Sequence, residues 1–297
     1  MRRMNISFAY FSRNPEPNKK MSSRSLKSTF KSFWKEFRFN LSATDSPIFQ
    51  FYYKNLYTPK KGSLAEFLSE YSKSKIGDFF VIQIGANDGI TNDPIHKFIK
   101  RDHWKGVLLE PQPNVFKNEL SKIYQHNKGI YPICAAIGSE DGSQKLYKIA
   151  FSEDRWATGL ASFSLDKIEL AFNNGVVEKN CLKEGIKIPE NPKDRIGFTE
   201  VSVISPDTLI KKYQISKIDL LQIDAEGYDL EVIKIFDIAK TQPEAIIFEN
   251  ENLNPNDLKS CYYMLRENGY KLAKFGRDTL ALKDETNQFQ DFFTLPV

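Results

Sequence analysis

Four apolar runs of the 297-residue chain end in carboxylates. Phe79 to Ile84 breaks at Gly85 and leads to Asn87 and Asp88. GVLL ends at Glu110, DLLQI at Asp224 with Glu226 close behind, and AIIF at Glu249 with Glu251 after it. One acid at such a place is as readily a helix cap or a dipole partner. Four together make a negative site, hostile to phosphates and suited to a cationic ligand. The turn after the first run agrees. A dinucleotide-binding turn reads G-x-G-x-x-G, its second glycine letting the backbone approach a pyrophosphate. Here Asn87 stands at that glycine, with the carboxylate of Asp88 beside it and Gly89 next.

Positioning these acids requires strands that all end on one side. From residue 77 onward the chain alternates strand and helix. DFFVIQIG reads as a buried strand, followed by a helix that Asp93 caps and Pro94 opens. KGVLLEP and IYPICAAIG read as the second and third strands. Alternation resumes with KIDLLQID, the helix YDLEVIKIF, the strand EAIIFENE and the helix NPNDLKSCYYMLRENG. YKLAKFG and TLALKD are close enough to form an antiparallel hairpin. The pattern implies an α/β fold, a mainly parallel sheet with helices on both faces and a ligand crevice at the carboxyl ends of its strands. Residues 140–206 interrupt it with a strand at QKLYKIA, a polar aromatic loop and a Pro/Gly/Lys-rich stretch. Loops over a rigid scaffold carry specificity, so this segment is expected to choose the substrate.

S-adenosylmethionine suits an acidic crevice. It carries an ammonium, a sulfonium and a ribose whose two hydroxyls suit a carboxylate. Glu110, 25 residues after Gly85, stands where dinucleotide folds place the ribose acid. The Gly85 turn, with Asn87 and Asp88, would then receive the methionine end.

In order along the chain, VIQIGANDG, GVLLEPQP, ICAAIGSEDG and IDLLQIDAEGYDLEVI resemble the motifs of the FkbM-type methyltransferases. The resemblance covers residues 77–285 and implies a Rossmann-like class I methyltransferase fold, with a seven-stranded, mainly parallel sheet and a C-terminal antiparallel hairpin. It also implies cofactor contacts from Gln83, Gly85, Asn87, Asp88, Gly89 and Glu110. Ala135 and Ala136 of the third motif, Ser162 of the small-residue loop ATGLASFS, and Asp224 join them. Asp224, Glu226 and Gly227 would shape the site near the transferred methyl. Family members mostly methylate hydroxyl oxygens of sugars and natural products. Two departures stand out: the family pattern has Asp at Gln83 and Lys at Gln222. Loss of both charges weighs the enzyme against a non-catalytic, cofactor-binding scaffold.

A sugar hydroxyl needs a base or a metal ion to become a nucleophile near neutral pH. Asp224 is the first candidate base, followed by Glu226, Glu249, His96 and His103. Each histidine is more readily a surface or helix-capping residue, and His126 an exposed one. Asp224, Glu226 and Glu249 could also hold magnesium or calcium, but no compact ligand motif favours a metal site. Trp156 and Phe163 could stack on a sugar face or close a satellite core. Arg155 and Lys167 could engage an acidic acceptor or remain solvated.

Composition bounds the rest. The hydrophobic and charged fractions, 41% and 27%, are those of a soluble globular protein. Cys134, Cys181 and Cys261 are far apart, against a disulfide framework or zinc ribbon and consistent with the cytoplasm. Residues 1–40 hold ten Lys or Arg against two Glu, a charge of +8, so the remainder carries −4 of the net +4. Residues 1–60 therefore read as a basic arm and 61–297 as the methyltransferase domain. Within the arm, SRNPEPNKKMSSRS reads as a linker. Leu26, Phe30, Phe33, Trp34 and Phe37 recur at helical spacing among Lys27, Lys31, Lys35 and Arg38. Such a helix packs on the domain or a second subunit, or lies on an anionic membrane. A basic aromatic arm also raises RNA methylation as a third reading, which the acidity of the domain disfavours.

Overall fold

The structure, a computed structural model, describes residues 34, 36–75, 79–283 and 286–293. The chain divides into two units, residues 1–40 and 41–297. In the first, the described residues are helical and the rings of Trp34 and Phe37 lie 5.6 Å apart. The remainder of the expected basic helix, and the linker before it, fall outside the described residues. Residues 41–60 belong to the larger unit.

The described strands are β1 (Phe80–Ile84), β2 (Lys105–Leu109), β3 (Ile130–Ile133), β4 (Ala136–Ile137) and β5 (Gly142–Ile149), then β6 (Ile196–Ile204), β7 (Leu220–Ile223), β8 (Ala245–Glu249), β9 (Lys271–Phe275) and β10 (Asp278–Leu282). Seven of them form one sheet in the order β3-β2-β1-β7-β8-β10-β9. The first five in that order are parallel, and β10 runs antiparallel to both β8 and β9. This is the parallel sheet with a C-terminal hairpin that the alternating pattern implies. β7 inserts directly beside β1, pairing Val81 with Leu220 and Gln83 with Gln222.

Strand alternation sorts the core. Ile82 and Ile84 of β1, Val107 and Leu109 of β2, Leu221 and Ile223 of β7, and Ile246 and Phe248 of β8 share one buried cluster. Leu230 and Ile233 of α7 (Asp229–Ile235) join it, with Phe236 just after, as do Cys261 and Leu265 of α8 (Pro255–Glu267). The other face meets α1 (Leu64–Ser74), whose Tyr71 hydroxyl donates to Asp219 O and whose ring packs edge-on against Phe79. A capping box starts α1: Ser63 Oγ accepts from Glu66 N, and the Glu66 carboxylate accepts from Gly62 N. The next helix, α2, spans His96–Asp102 and begins two residues later than Pro94. Asp93 Oδ1 accepts from the amides of both Ile95 and His96 and so delays its start.

Two expectations change. IYPICAAIG is two strands in two sheets: β3 ends at Ile133, and after Cys134 and Ala135 the chain enters a smaller sheet ordered β4-β6-β5. Residues 140–206 are also regular for much of their length. β5 and β6 pair antiparallel from Gly142↔Val203 to Ile149↔Ile196. Between them lie α3 (Arg155–Thr158), α4 (Leu165–Asn173) and α5 (Val176–Glu184). Ile168, Ala171, Val177 and Cys181 close a satellite core against which Trp156 packs. A further helix, α6 (Pro206–Lys212), leads to β7 and starts at a cap where Ser205 Oγ accepts from Thr208 N. Among the described residues no helix is long and apolar enough to cross a membrane.

Candidate active site

The turn after β1 is held by residues able to take left-handed backbone angles: Gly85 at φ 77°, Asn87 at 46° and Gly89 at 72°. At Gly85 the requirement is also steric. A Cβ there would stand 1.9 Å from the carbonyl oxygen of Asp224, so only glycine lets the ends of β1 and β7 meet. Beside this meeting point lies a pocket with about 720 Å³ of empty space, its open mouth included.

Glu110 forms one side of it. Its Oε2 accepts from Asn87 N and its Oε1 from Gln112 N, each at 2.9 Å. The carboxylate therefore fixes the turn after β1 relative to the end of β2. Burial pushes its pKa up to about 7 against the pull of those two amides. Small residues form the opposite wall: Ala135 and Ala136 where the chain changes sheets, and Gly159, Ala161 and Ser162 after α3. Phe163 also lines the pocket, its ring 6.2 Å from that of Tyr228.

Three carboxylates converge from the ends of β7 and β8. Oxygens of Asp224, Glu226 and Glu249 lie within 4.8 Å of one another, near enough to share one divalent cation. Asn252 Nδ2 bridges two of them, donating to Glu226 Oε2 at 2.9 Å and Glu249 Oε2 at 2.7 Å. Arg277 Nη1 lies 3.3 Å from Glu249 Oε1. Beneath them, Asp229 accepts from Glu249 N and Gly227 N and so ties the ends of β7 and β8 together. Burial is the first cause that raises all four carboxyls, and repulsion from neighbouring carboxylates adds to it at Glu226, Asp229 and Glu249. Glu226 is pushed up to about 8, Asp229 and Glu249 to about 7. Asp224 is raised by burial and held back by Arg155 and Arg277. Glu226 adopts φ 48°, an unfavourable conformation for a residue with a side chain.

Of the expected cofactor residues, Gly85, Asn87, Glu110, Ala135, Ala136, Ser162 and Asp224 line the pocket; Gln83, Asp88 and Gly89 do not. Asp88 Oδ1 instead accepts from Ile90 N and Thr91 N, which uses it to shape the turn. Gln83 Nε2 donates to Asp93 Oδ2, on the sheet face away from the Ile82 cluster. A Cβ on Gly89 would meet Leu120 at 2.8 Å, so this glycine serves packing. Glu251 is exposed. None of the three histidines lines the pocket. His96 is buried between Ser42 and Tyr124, His103 ends α2 in a left-handed conformation, and His126 is exposed. Gln112, Arg155, Thr158, Asp229, Asn252 and Arg277 complete the site. Arg155 alone among these was legible in the sequence as a site residue.

The pocket fits S-adenosylmethionine: a tight glycine turn at the end of β1, a buried acid at the end of β2, and acids at the end of β7 to balance a sulfonium. The model of the methyltransferase FkbM domain matches residues 83–272, which include every residue lining the pocket. The chain belongs to the FkbM methyltransferase family. Membership implies S-adenosylmethionine as the methyl donor, and the fold is the Rossmann-like one of class I methyltransferases. Among solved structures it is similar to a methyltransferase FkbM from Methylobacillus flagellatus KT, at 13% identity and a TM-score of 0.40, over 80% of this chain and 59% of that one. It thus spans about three fifths of that protein's length. It is also similar to a delta-N METTL16 methyltransferase domain, at 10% identity and TM-score 0.37, covering 82% and 97% of the two chains. A human methyltransferase 10 domain containing protein aligns at 13% identity and TM-score 0.35, over 74% and 80%. A search of curated proteins finds no match. The FkbM assignment therefore rests on the family match and agrees with the ordered motifs.

Proposed function

We propose that the chain transfers a methyl group from S-adenosylmethionine to a hydroxyl oxygen of a sugar, glycan or natural-product acceptor. The observation that supports this most is that Asp224 and Glu226, which converge with Glu249, line the same pocket as Glu110 at the end of β2. When bound, the cofactor supplies an electrophilic methyl on a positively charged sulfur, so the protein must align the acceptor and take its proton. Glu110 holds the ribose hydroxyls while its own oxygens stay anchored by the Asn87 and Gln112 amides. Three crowded carboxyls do not all ionise together near neutral pH. Glu226, with its pKa near 8, keeps a proton and donates a hydrogen bond. Asp224, which Arg155 and Arg277 favour in its ionised form, receives the hydroxyl proton as the oxygen–carbon bond forms and the sulfur–carbon bond breaks. The products are the methyl ether and S-adenosylhomocysteine.

Calorimetric titration of the full chain with S-adenosylhomocysteine tests the cofactor half of this reading without an acceptor. Saturable one-to-one binding is expected, weakened in Glu110→Gln. A folded protein that binds neither the product nor the cofactor would sink it. If binding holds, turnover of cofactor by purified protein with a sugar-containing acceptor distinguishes the enzyme from a scaffold that only holds the ligand.

A further inference from the structure

Arg155 is the one cation that lines the pocket; it favours the ionised forms of Glu110, Asp224 and Glu226 from a distance, but among the described residues no hydrogen bond or ion pair holds its guanidinium. It begins α3, in the segment that covers the carboxyl ends of the strands. Its Nε is buried and lacks a hydrogen-bond partner, and among the described residues Arg155 forms no ion pair. Arg101 and Arg195, by contrast, are engaged. Arg101 is bidentate to Asp102 and also bonds Ser69, while Arg195 donates to Pro189 O and Glu190 O. A planar fork of donors, half-buried and unmatched, costs stability unless a planar or tetrahedral anion completes it.

The arginine lies beside the carboxyls that would take the acceptor's proton. A Cβ built on Gly159 would meet Arg155 Nη1 at 2.6 Å and Glu226 Oε1 at 3.5 Å, so the guanidinium tip and the Glu226 carboxyl flank the same point. Lys167, on α4, stands beyond them and donates to Gly227 O at 2.8 Å. Its partner is a carbonyl, and among the described residues no carboxylate lies within ion-pair distance of it. The site is thus divided by charge. The strand ends supply acids, which suit the cationic cofactor, and the covering segment supplies two cations that the cofactor's sulfonium would repel.

We propose that Arg155, with Lys167 beside it, binds an anionic group carried by the acceptor, so that the protein methylates a hydroxyl of an acidic sugar rather than a neutral one. This rests on the methyl-transfer reading above and narrows its substrate class. The shared chemistry is a carboxylate, as in a uronic acid, or a phosphate ester. Arg155 pairs with either in a two-point contact, and the hydroxyl beside that anion is turned toward Asp224. No covalent step is added: Arg155 and Lys167 position the acceptor and remain charged throughout.

The test uses the full chain saturated with S-adenosylhomocysteine and labelled with nitrogen-15 at arginine. The Arg155 Nε–H resonance is identified by its loss in Arg155→Lys. D-glucuronate, D-glucose 6-phosphate and D-glucose are then titrated separately at up to tens of millimolar. The expected result is a saturable shift of that resonance with glucuronate or with the phosphate ester, and none with glucose. Which of the two acids binds more tightly identifies the anion. Arg155→Lys should weaken binding of the responding acid about tenfold or more, the scale of a lost charged two-point contact, and by more than it weakens S-adenosylhomocysteine binding. Binding of S-adenosylhomocysteine with no response to either acid overturns this proposal alone. An equal loss of S-adenosylhomocysteine affinity in Arg155→Lys also overturns it, because the arginine then holds the cofactor's own carboxylate. Absence of S-adenosylhomocysteine binding to the wild-type protein overturns the methyl-transfer reading, and this proposal with it.

Discussion

Gln83 and Gln222 are registered partners on the adjacent strands β1 and β7. Their side chains leave the sheet on the same face, and each buries an Oε1 with no hydrogen-bond partner. The family pattern that the chain resembles has Asp and Lys at these positions. The two departures are therefore one: an opposite-charge pair across the central seam has become a pair of neutral amides. Gln222 does not reach Asp224, and Gln83 does not reach the pocket, so the exchange bears on the seam rather than on the cofactor.

Reversing the exchange should show coupling. Gln83→Asp alone replaces an amide that donates to Asp93 with a second carboxylate beside it, and should lower stability. Adding Gln222→Lys should recover about 1 to 3 kcal/mol of that loss, the range for residues in direct contact. Denaturant unfolding of the four proteins of the cycle measures it. Strict additivity would mean that the two side chains do not meet.

Asp224→Asn should cut turnover about 10² to 10⁴ fold, the usual loss for a general base, with S-adenosylhomocysteine affinity within a few-fold. Single-turnover kinetics separate the two effects. Recovery at raised magnesium would identify Asp224 as a metal ligand instead. Near-normal turnover, with Glu249→Gln causing the loss, would move the chemistry to the end of β8.

Stability of the ligand-free protein should fall as pH rises from about 5 to 8. The sign follows from four acids, Glu110, Glu226, Asp229 and Glu249, whose folded pKa values of about 7 to 8 exceed their unfolded ones. In that window the folded state binds more protons than the unfolded chain, so raising the pH favours unfolding. Thermal melts across the range check this, and S-adenosylmethionine, being cationic, should flatten the slope. A melting temperature that climbs with pH over the window would contradict the buried-acid account.

Gly85→Ala should abolish cofactor binding and cost about 1 to 3 kcal/mol in backbone strain alone, before the clash with Asp224 O is counted. Gly142→Ala is the control. Nothing lies within 4 Å of the Cβ it adds, and its backbone angle is ordinary. Calorimetry and unfolding on both variants give the comparison, and a Gly85→Ala protein of normal stability and affinity would show that the β1 and β7 ends can separate freely.

What the sequence disclosed follows from burial. β1, β2, β7 and β8 are covered on both faces, so they read as unbroken apolar runs, and the acids that close them stand out. β6 escaped because it is half exposed: in IGFTEVSVI only Val201 and Val203 are buried. α1 was overlooked although Ser63 and Glu66 spell its capping box in the sequence. Asp229 and Asn252 act by bonding groups brought together from different strand ends, and no local spacing announces such a role. Asp88 misled because an acid beside a glycine turn serves equally well as the turn's own hydrogen-bond acceptor.

The insertion of β7 beside β1 sets a schedule for synthesis. Phe80 N donates to the Asp219 carboxylate across 139 residues of chain. At a ribosomal pace of about 5 to 20 residues per second, roughly 7 to 28 seconds pass before the partner strand exists. Throughout that interval β1 has one edge unpaired, and its backbone can template the wrong neighbour. Gly85 has nothing to approach until Asp224 emerges, and Glu249 emerges later still. A nascent chain arrested before residue 224 therefore carries Glu110 and the small-residue wall of the pocket without the carboxylates of Asp224, Glu226 and Glu249. Such a fragment is a client for chaperones rather than a partial enzyme.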